Sequence, residues 1–451
     1  MNFFGILFTL VVSSFLLRVP RNWASLPLLL GSVYITRFQT LEIGPMHFPT
    51  MRILIAVGLL RVIMNGERIS GGMNSLDRIA SLWAIWNICS IAFHRSDVLI
   101  GRCGTLFEIV VAYYLFRVFV RGIEDVRTVF KIVCILLVPL AATMLQEKLS
   151  GNNPLSLVGF GPAQVVTTNG HFRAQGSFAH PILAGTVGGI CVPMAIYFWR
   201  ENRKLALVGL MATLGIVFAS GSSGPIMTTL AAVTALSLWL ARGQVRTIRW
   251  LAVCLVIALS FLMNSPVYYL MGKIDITGGS TGYFRAALIQ SAIDYLSEWW
   301  FAGTDHTRHW MPSGIAADPN HTDMTNYFIQ MGVWGGLPLV LLFVWVLVVA
   351  FRRIGKALRA NQGAPPSSQF LIWALGSILF AHTTTFWSIS YYDQTIVFLC
   401  LVLACIGSLK IAQRTAAPIL GGDSTRRERD RMPAWSGLSF EQPRRTLREH
   451  V

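Results

Sequence analysis

Charge is what this sequence has least of. Only 13% of its 451 residues are Asp, Glu, Lys or Arg, against about 25% in soluble domains, and the mean hydropathy is +0.56. An ordinary soluble enzyme is excluded. Acidic residues are scarcer still, 21 against 37 Lys and Arg, which leaves a formal charge of +16. That excess does not call for nucleic acid, because no soluble segment presents a basic face interleaved with stacking aromatics. Seven cysteines (Cys89, Cys103, Cys134, Cys191, Cys254, Cys400 and Cys405) lie in or beside apolar stretches. They form no C-x-x-C pair and no ligand spacing, so they read as small buried apolar residues. The first segment lacks a positive n-region and a small-residue cleavage site, and reads as a retained span instead of a removed signal peptide.

Long apolar runs are abundant. They fall near 3–17, 24–36, 50–66, 79–94, 103–120, 129–146, 178–199, 205–222, 225–241, 248–265, 326–350, 368–389 and 393–410. Most approach the roughly 20 residues that a helix needs to cross a bilayer. About twelve spans are therefore predicted, with 24–36 short enough to be half of a re-entrant hairpin or a tilted helix. Basic clusters at 200–204, 242–249 and 352–359, and the Arg-rich tail from Ile411, all fall on one side in this reading. By the positive-inside rule that side is cytoplasmic. Beside anionic lipid each such charge contributes about 1 kcal/mol, which accounts for much of the net charge. Arg95 and Arg102 fall on the opposite side and leave the parity of the first hairpin open. The tail, rich in Pro, Gly and mixed charge, reads as a disordered cytosolic segment.

Polar groups gather on the other face. In "NGHFRAQGSFAHPILAG", 169–185, Arg173 precedes a glycine turn and His180-Pro181 opens the next helix, where Pro is well tolerated. Arg173 is either a snorkelling arginine or part of an anion site assisted by free N–H groups at the helix start. Across Phe284 to Trp300, apolar residues recur every three or four positions, which predicts an amphipathic helix near the interface. Arg285 sits in its first turn, where it opposes the helix dipole, and its placement is better explained by something anionic outside the helix. After Gly303 come Asp305, His306, Arg308, His309, Asp318, His321 and Asp323. Their spacing matches no compact metal motif. A neutral imidazole near pH 7 can take a proton from a hydroxyl, and His321, beside a span mouth, is the preferred base. Asp318 or Asp323 is the candidate to orient it. Asn320 or Thr322 is expected to cap the helix that follows, and Asn326 joins the polar mouth. His382, inside an apolar run, is expected to face the bundle or a water-filled cavity with Tyr391, Tyr392 and Asp393.

These stretches resemble a known family. Arg173-x-x-Gly176-x-Phe178-x-His180-Pro181, then "SGSSG" at 220–224, the glycine-rich approach to Arg285 and the segment from His321 to Gly332 occur in the order seen in the O-antigen ligase and O-antigen polymerase superfamily of bacterial inner-membrane proteins. The resemblance spans roughly residues 40–410, and the "HTDMTNYF" form looks more like the exopolysaccharide polymerase branch. Four departures stand out. Pro181-Ile182 replaces a frequent Pro-Asn, Ser222-Ser223-Gly224 lacks a frequent arginine, Thr322 stands where Asn often follows the histidine, and Gln330 stands where an acidic residue is common.

The resemblance implies a membrane glycosyltransferase that uses an undecaprenyl-diphosphate-linked glycan donor on the periplasmic face, with no metal or cofactor. Arg173 and Arg285 would hold the diphosphate and His321 would act on the acceptor hydroxyl. Read from the residues themselves, His180, Asp318, Asp323, Asn326 and His382 are the candidate substrate contacts. Membrane lipids, a chain-length regulator, a flippase and export proteins are the expected partners. Ligation to lipid A-core and glycan transport are the rival functions, though no internal repeat of the kind transporters carry is evident. The expected fold is all-α, a polytopic transmembrane helical bundle of about twelve spans. Its segments would be 1–147, a periplasmic loop 148–177, spans in 178–265, a large periplasmic loop 266–325 containing the amphipathic helix, spans in 326–410 and the tail 411–451.

Overall fold

The computed structural model describes residues 1–35, 39–44, 46–168, 170–273 and 282–411. The expected tail from 412 onward and the glycine-rich approach to Arg285, 274–281, lie outside them. Along the chain run α1 (Phe3–Arg18), α2 (Ser25–Tyr34), β1 (Thr40–Ile43), β2 (Met46–Pro49), α3 (Thr50–Met64), α4 (Ser75–Ile91), α5 (Ser96–Phe119) and α6 (Ile123–Ser150). Then come β3 (Val166–Thr168), β4 (His171–Arg173), α7 (Pro181–Tyr197), α8 (Arg203–Ser220), α9 (Ser223–Ser237) and α10 (Val245–Leu262). The last group is α11 (Gly282–Asp294), the single turn α12 (Leu296–Trp299), α13 (Tyr327–Ala360), α14 (Pro366–Thr385) and α15 (Gln394–Ser408).

The chain is a multi-pass, helical membrane protein, but the expected bundle of about twelve spans is overturned. Among the described residues six helical segments are long and apolar enough to cross a membrane: Val98–Phe119, Ile123–Ser150, Pro181–Arg200, Arg203–Ser220, Arg242–Leu262 and Tyr327–Ala360. Apolar runs overcount spans because a run can continue past the end of its helix. The helices α3 and α9 have 15 residues each and α4 has 17. In α4 a capping box between Asn74 and Asp77 sets the start. Two antiparallel hairpins, β1–β2 and β3–β4, also depart from an all-α chain. The helix expected from Phe284 to Trp300 ends at Asp294 and resumes only as the turn α12. Its Leu288, Ile289, Ala292 and Trp299 pack with Ile329 and Val333 of α13. Most of the apolar stripe therefore faces protein, while Phe284 and Leu296 stay exposed.

The core is held by polar contacts as well as apolar ones. Asp77 and Arg117, both almost wholly buried, pair at 2.8 Å. Asp77 also accepts from Tyr113 Oη at 2.6 Å and from the backbone of Asn74 at 2.9 Å. A charge removed from water needs this degree of service, since desolvation otherwise exceeds the Coulomb gain. At the other end of the bundle, Tyr327, Phe343, Phe386 and Tyr391 form an aromatic cluster with ring centres 4.8–5.4 Å apart.

The long helix α13 is broken at Gly335–Gly336. Gly336 has φ +72°, and a Cβ there would lie 2.2 Å from the carbonyl oxygen of Phe301, so only glycine fits. Side chains of α4 and α5 take up carbonyls at the break. Trp86 Nε1 donates to Gly335 at 2.7 Å, while Trp334 accepts from Ser90, His94 and Arg102. Irregular backbone is tolerated at this depth only when protein satisfies it in this way.

Replacing Asp77 with Ala leaves Arg117 buried and unpaired, and is expected to cost about 3–5 kcal/mol. Denaturant unfolding of the purified protein measures it. Glu124→Ala, which breaks an exposed pair with Arg127, should leave the midpoint almost unchanged.

Candidate functional site

The site begins with a carboxylate at the end of α6. Glu147 is fully buried and accepts the backbone N–H groups of Gln175 at 3.1 Å and Gly176 at 2.8 Å. These bonds tie down the chain that leaves β4 and leads to α7. Ala174 adds a backbone bond to Ala219 at 3.0 Å, bringing β4 against the end of α8. Arg173 closes β4 and reaches across the "SGSSG" turn. Its Nε donates to the Ser220 carbonyl at 3.4 Å, Nη1 to Thr168 Oγ1 at 3.3 Å, and Nη2 to Ser222 Oγ. The close approach depends on Gly221, whose φ is +56°. A Cβ at that position would stand 3.2 Å from Arg173 Cγ and 3.4 Å from Lys148 Nζ.

Two helix starts meet this guanidinium. Ser222, the N-cap of α9, accepts its hydrogen bond. His180 is the N-cap of α7, where its ring nitrogen accepts the N–H of Ile182 at 3.2 Å. Burial, and then the charge of Arg173, push the His180 pKa down to about 4. The imidazole is therefore neutral near pH 7. The positive ends of two helix dipoles thus add to a fixed cation.

Arg285 comes to the same place from α11. Burial lowers its pKa; Asp323 opposes that shift and the positive charge of Arg173 adds to it. The two arginines, far apart in sequence, are thus within Coulombic range of each other. Among the described residues Arg285 Nε is buried without a hydrogen-bond partner. Asp323 has its pKa raised by burial, with Arg285 pulling the other way. Asp323 is the carboxylate that acts on Arg285, while Glu147 is spent on the backbone of Gln175 and Gly176 and Asp318 on His321.

His321 lies at the tip of a tight turn closed by the bridge between Ala316 and Thr322. Its Nδ1 is 3.0 Å from both carboxylate oxygens of Asp318, and its backbone N–H donates to Asp318 Oδ1 at 2.9 Å. Asp318 is thus the carboxylate that orients the ring, while Asp323 faces Arg285. Burial opposes it, but the hydrogen bonds and charge of His321 and the N–H of Asn320 hold the Asp318 carboxyl below its usual range. Donation from Nδ1–H to a carboxylate leaves Nε2 as the proton acceptor. Thr322 is buried. Asp323, two residues on from His321, is the one that acts on Arg285.

Other expected residues have structural surroundings. Asn326 is buried and caps α13, accepting from Phe328 at 3.0 Å and Ile329 at 3.1 Å and donating to Trp387 at 3.1 Å. The cap is Asn326 and not Asn320 or Thr322, because α13 starts only at Tyr327. His382 is buried in α14, with Nδ1 2.8 Å from Tyr391 Oη, inside the aromatic cluster. His309 pairs with Glu298 and Asp305 with His94. Lys148, Ser222 and Glu147 were not foreseen. Glu147-Lys148 at the end of a long apolar run was the available signal.

Arg173 and Arg285 can take an anion, and His321 with Asp318 forms a histidine–carboxylate pair on the segment that carries Asp323. Among the described residues no three His, Cys, Asp or Glu side chains come together. Compared with protein-family models and with curated proteins, the sequence matches none.

The depressed pKa of His180 links stability to pH. The unfolded chain takes up a proton near pH 6.5 and the folded chain only near 4, so stability falls as pH drops through that window. The loss amounts to about 3 kcal/mol for this group. His180→Asn keeps a capping acceptor and is expected to flatten the fall between pH 6.5 and 4 in thermal unfolding. An unchanged slope contradicts the neutral, buried imidazole.

Proposed function

We propose that this protein is a membrane glycosyltransferase of the polymerase type, joining undecaprenyl-diphosphate-linked oligosaccharide units at the periplasmic face of a bacterial inner membrane. The observation that carries the reading is the meeting of Arg173 and Arg285. The two guanidinium groups repel, Asp323 offsets only part of that beside Arg285, and the Arg285 Nε is buried without a partner among the described residues, so a further anion would satisfy both. A diphosphate supplies that anion and accepts bidentate bonds from both. The ordered motifs from Arg173 to Gly332, which resemble the O-antigen polymerase and ligase superfamily, support the same chemistry.

The reaction needs one proton moved and one anion stabilised. The acceptor hydroxyl oxygen attacks the anomeric carbon, and its proton passes to Nε2 of His321, whose ring Asp318 orients. The bond from the anomeric carbon to the diphosphate oxygen breaks, and the electron pair leaves with the diphosphate. Charge grows on that leaving group as the bond lengthens. Arg173, fixed in advance by Ser220, Ser222 and Thr168, stabilises it without reorganising, and Arg285 adds a second charge. Lys148 adds positive charge at the same place. An acceptor arriving from water meets a donor anchored in lipid, which is why polar loops and span ends share the site.

His321→Ala, measured as chain extension in membranes carrying matched amounts of protein, is expected to lower the rate about 10²–10⁴-fold. A single lipid-linked repeat unit should accumulate. Polymer output at the wild-type rate overturns the assignment of the base. Accumulation of full-length lipid-linked polymer points instead to ligation, which shares the donor chemistry.

A further inference from the structure

His94 lies in the loop between α4 and α5, its side chain 2% exposed and an oxygen against each of its ring nitrogens. Nδ1 is 2.6 Å from Asp305 Oδ1, and Nε2 is 2.9 Å from the Ala302 carbonyl and 3.1 Å from that of Trp334. None of these three oxygens can donate while Asp305 is ionised. Burial opposes that state, but the N–H of Arg95, the hydrogen bond and charge of His94 and the charge of Arg102 hold the Asp305 carboxyl below its usual range. The Arg95 N–H meets Oδ2 at 2.8 Å, so Asp305 accepts on both oxygens. The ring therefore completes its surroundings only with a proton on each nitrogen. A neutral ring turns a lone pair onto an oxygen at hydrogen-bond distance, where so little water reaches that no other donor takes the place of the lost one.

What His94 holds is the chain that carries His321. Ala302 and Asp305 open that chain and Trp334 stands at the break in α13, so one ring joins three parts of the molecule. Two residues beyond Asp305, the N–H groups of Thr307 and Arg308 both donate to the Asn320 carbonyl at 2.9 Å. Thr307 Oγ1 accepts the N–H of Thr322 at 3.2 Å. These bonds flank His321 on either side. Among the described residues the titratable groups around the ring are Asp305 from this chain, Arg95 beside it in the loop and Arg102 from α5, which donates to the Trp334 carbonyl. From α4 comes the Ser90 hydroxyl, which donates to the same carbonyl, and from α13 only backbone.

We propose that His94 is a positioning residue: as an imidazolium it clamps the segment 302–323 to the broken helix, and on losing a proton it loosens the bonds that flank His321. The inference rests on the transfer reading only for what His321 does; the clamp itself stands on these contacts.

Amide hydrogen exchange of the full chain in phosphatidylcholine nanodiscs tests it, with rates corrected for the intrinsic effect of pH. Protection of the peptide from Thr307 to Asp323 is expected to fall tenfold or more as the pH rises from about 5 to about 9, while that of α8 holds. His306→Gln, His309→Gln and His321→Ala remove the segment's own histidines, and the fall should persist in each. Asp305→Asn takes the negative charge from the ring and should move the fall to lower pH. His94→Gln, which cannot donate on both sides, should leave the peptide poorly protected throughout. Protection that does not change with pH in the wild type, a fall that disappears with one of the segment's own histidines, or an unmoved fall in Asp305→Asn overturns the proposal. Chain extension in membranes is expected to slow over the same pH range, and a rate that holds while protection is lost removes the positioning role. Absence of chain extension at every pH counts against the transfer reading, and the exchange result then decides the clamp by itself.

Discussion

The contact on which the site depends is the pair of backbone bonds made by Glu147. A carboxylate buried at the end of an apolar helix is costly unless its oxygens are satisfied, and here the amides of Gln175 and Gly176 satisfy them. The same bonds hold the only chain between β4 and α7, so they set where Arg173 ends and where His180 begins its helix. Arg173 then braces the start of α9 through Ser222. One buried charge thus positions a cation, a neutral histidine and two helix N-termini.

The rest of the molecule keeps that arrangement in place with few exposed charges. The Asp77–Arg117 pair joins α4 to α5 far from the site, and Asn74 and Arg353 both reach the Gly407 carbonyl at 3.0 Å, adding α13 and α15. At the opposite end the break in α13 lets Trp334 and Gly335 turn their carbonyls to side chains of α4 and α5. Gly303, with φ +97°, lies so near Val333 that a Cβ would be 2.2 Å from its carbonyl oxygen. The segment before His321 is therefore seated on the broken helix, and the turn bearing His321 has a fixed base.

Part of this was legible in the sequence. Arg285 in the first turn of a helix contradicts the helix dipole, a local conflict that points outward to an anion, and the structure brings Arg285 near Arg173. The position of His321 beside a span mouth was equally visible. The number of spans was not, because an apolar run records hydropathy while caps such as Asn74 and the break at Gly335–Gly336 decide where a helix stops. Nor was the choice between Asp318 and Asp323. Both lie within three residues of His321, and only the tight turn at 317–321 shows that Asp318 reaches the ring. Lys148, Glu147 and Ser222 stayed hidden since each acts through a loop distant in sequence.

The central claim is that Arg173 and Arg285 hold one diphosphate between them. A double-mutant cycle on undecaprenyl diphosphate affinity, using Arg173→Gln, Arg285→Gln and both together in nanodiscs, tests it most directly. Each single change is expected to weaken binding about tenfold or more, as loss of a charge-assisted bond does. The double variant should lose less than the product of the two, since the arginines share one ligand and relieve each other's repulsion when either is removed. Wild-type affinity in the double variant would contradict the claim.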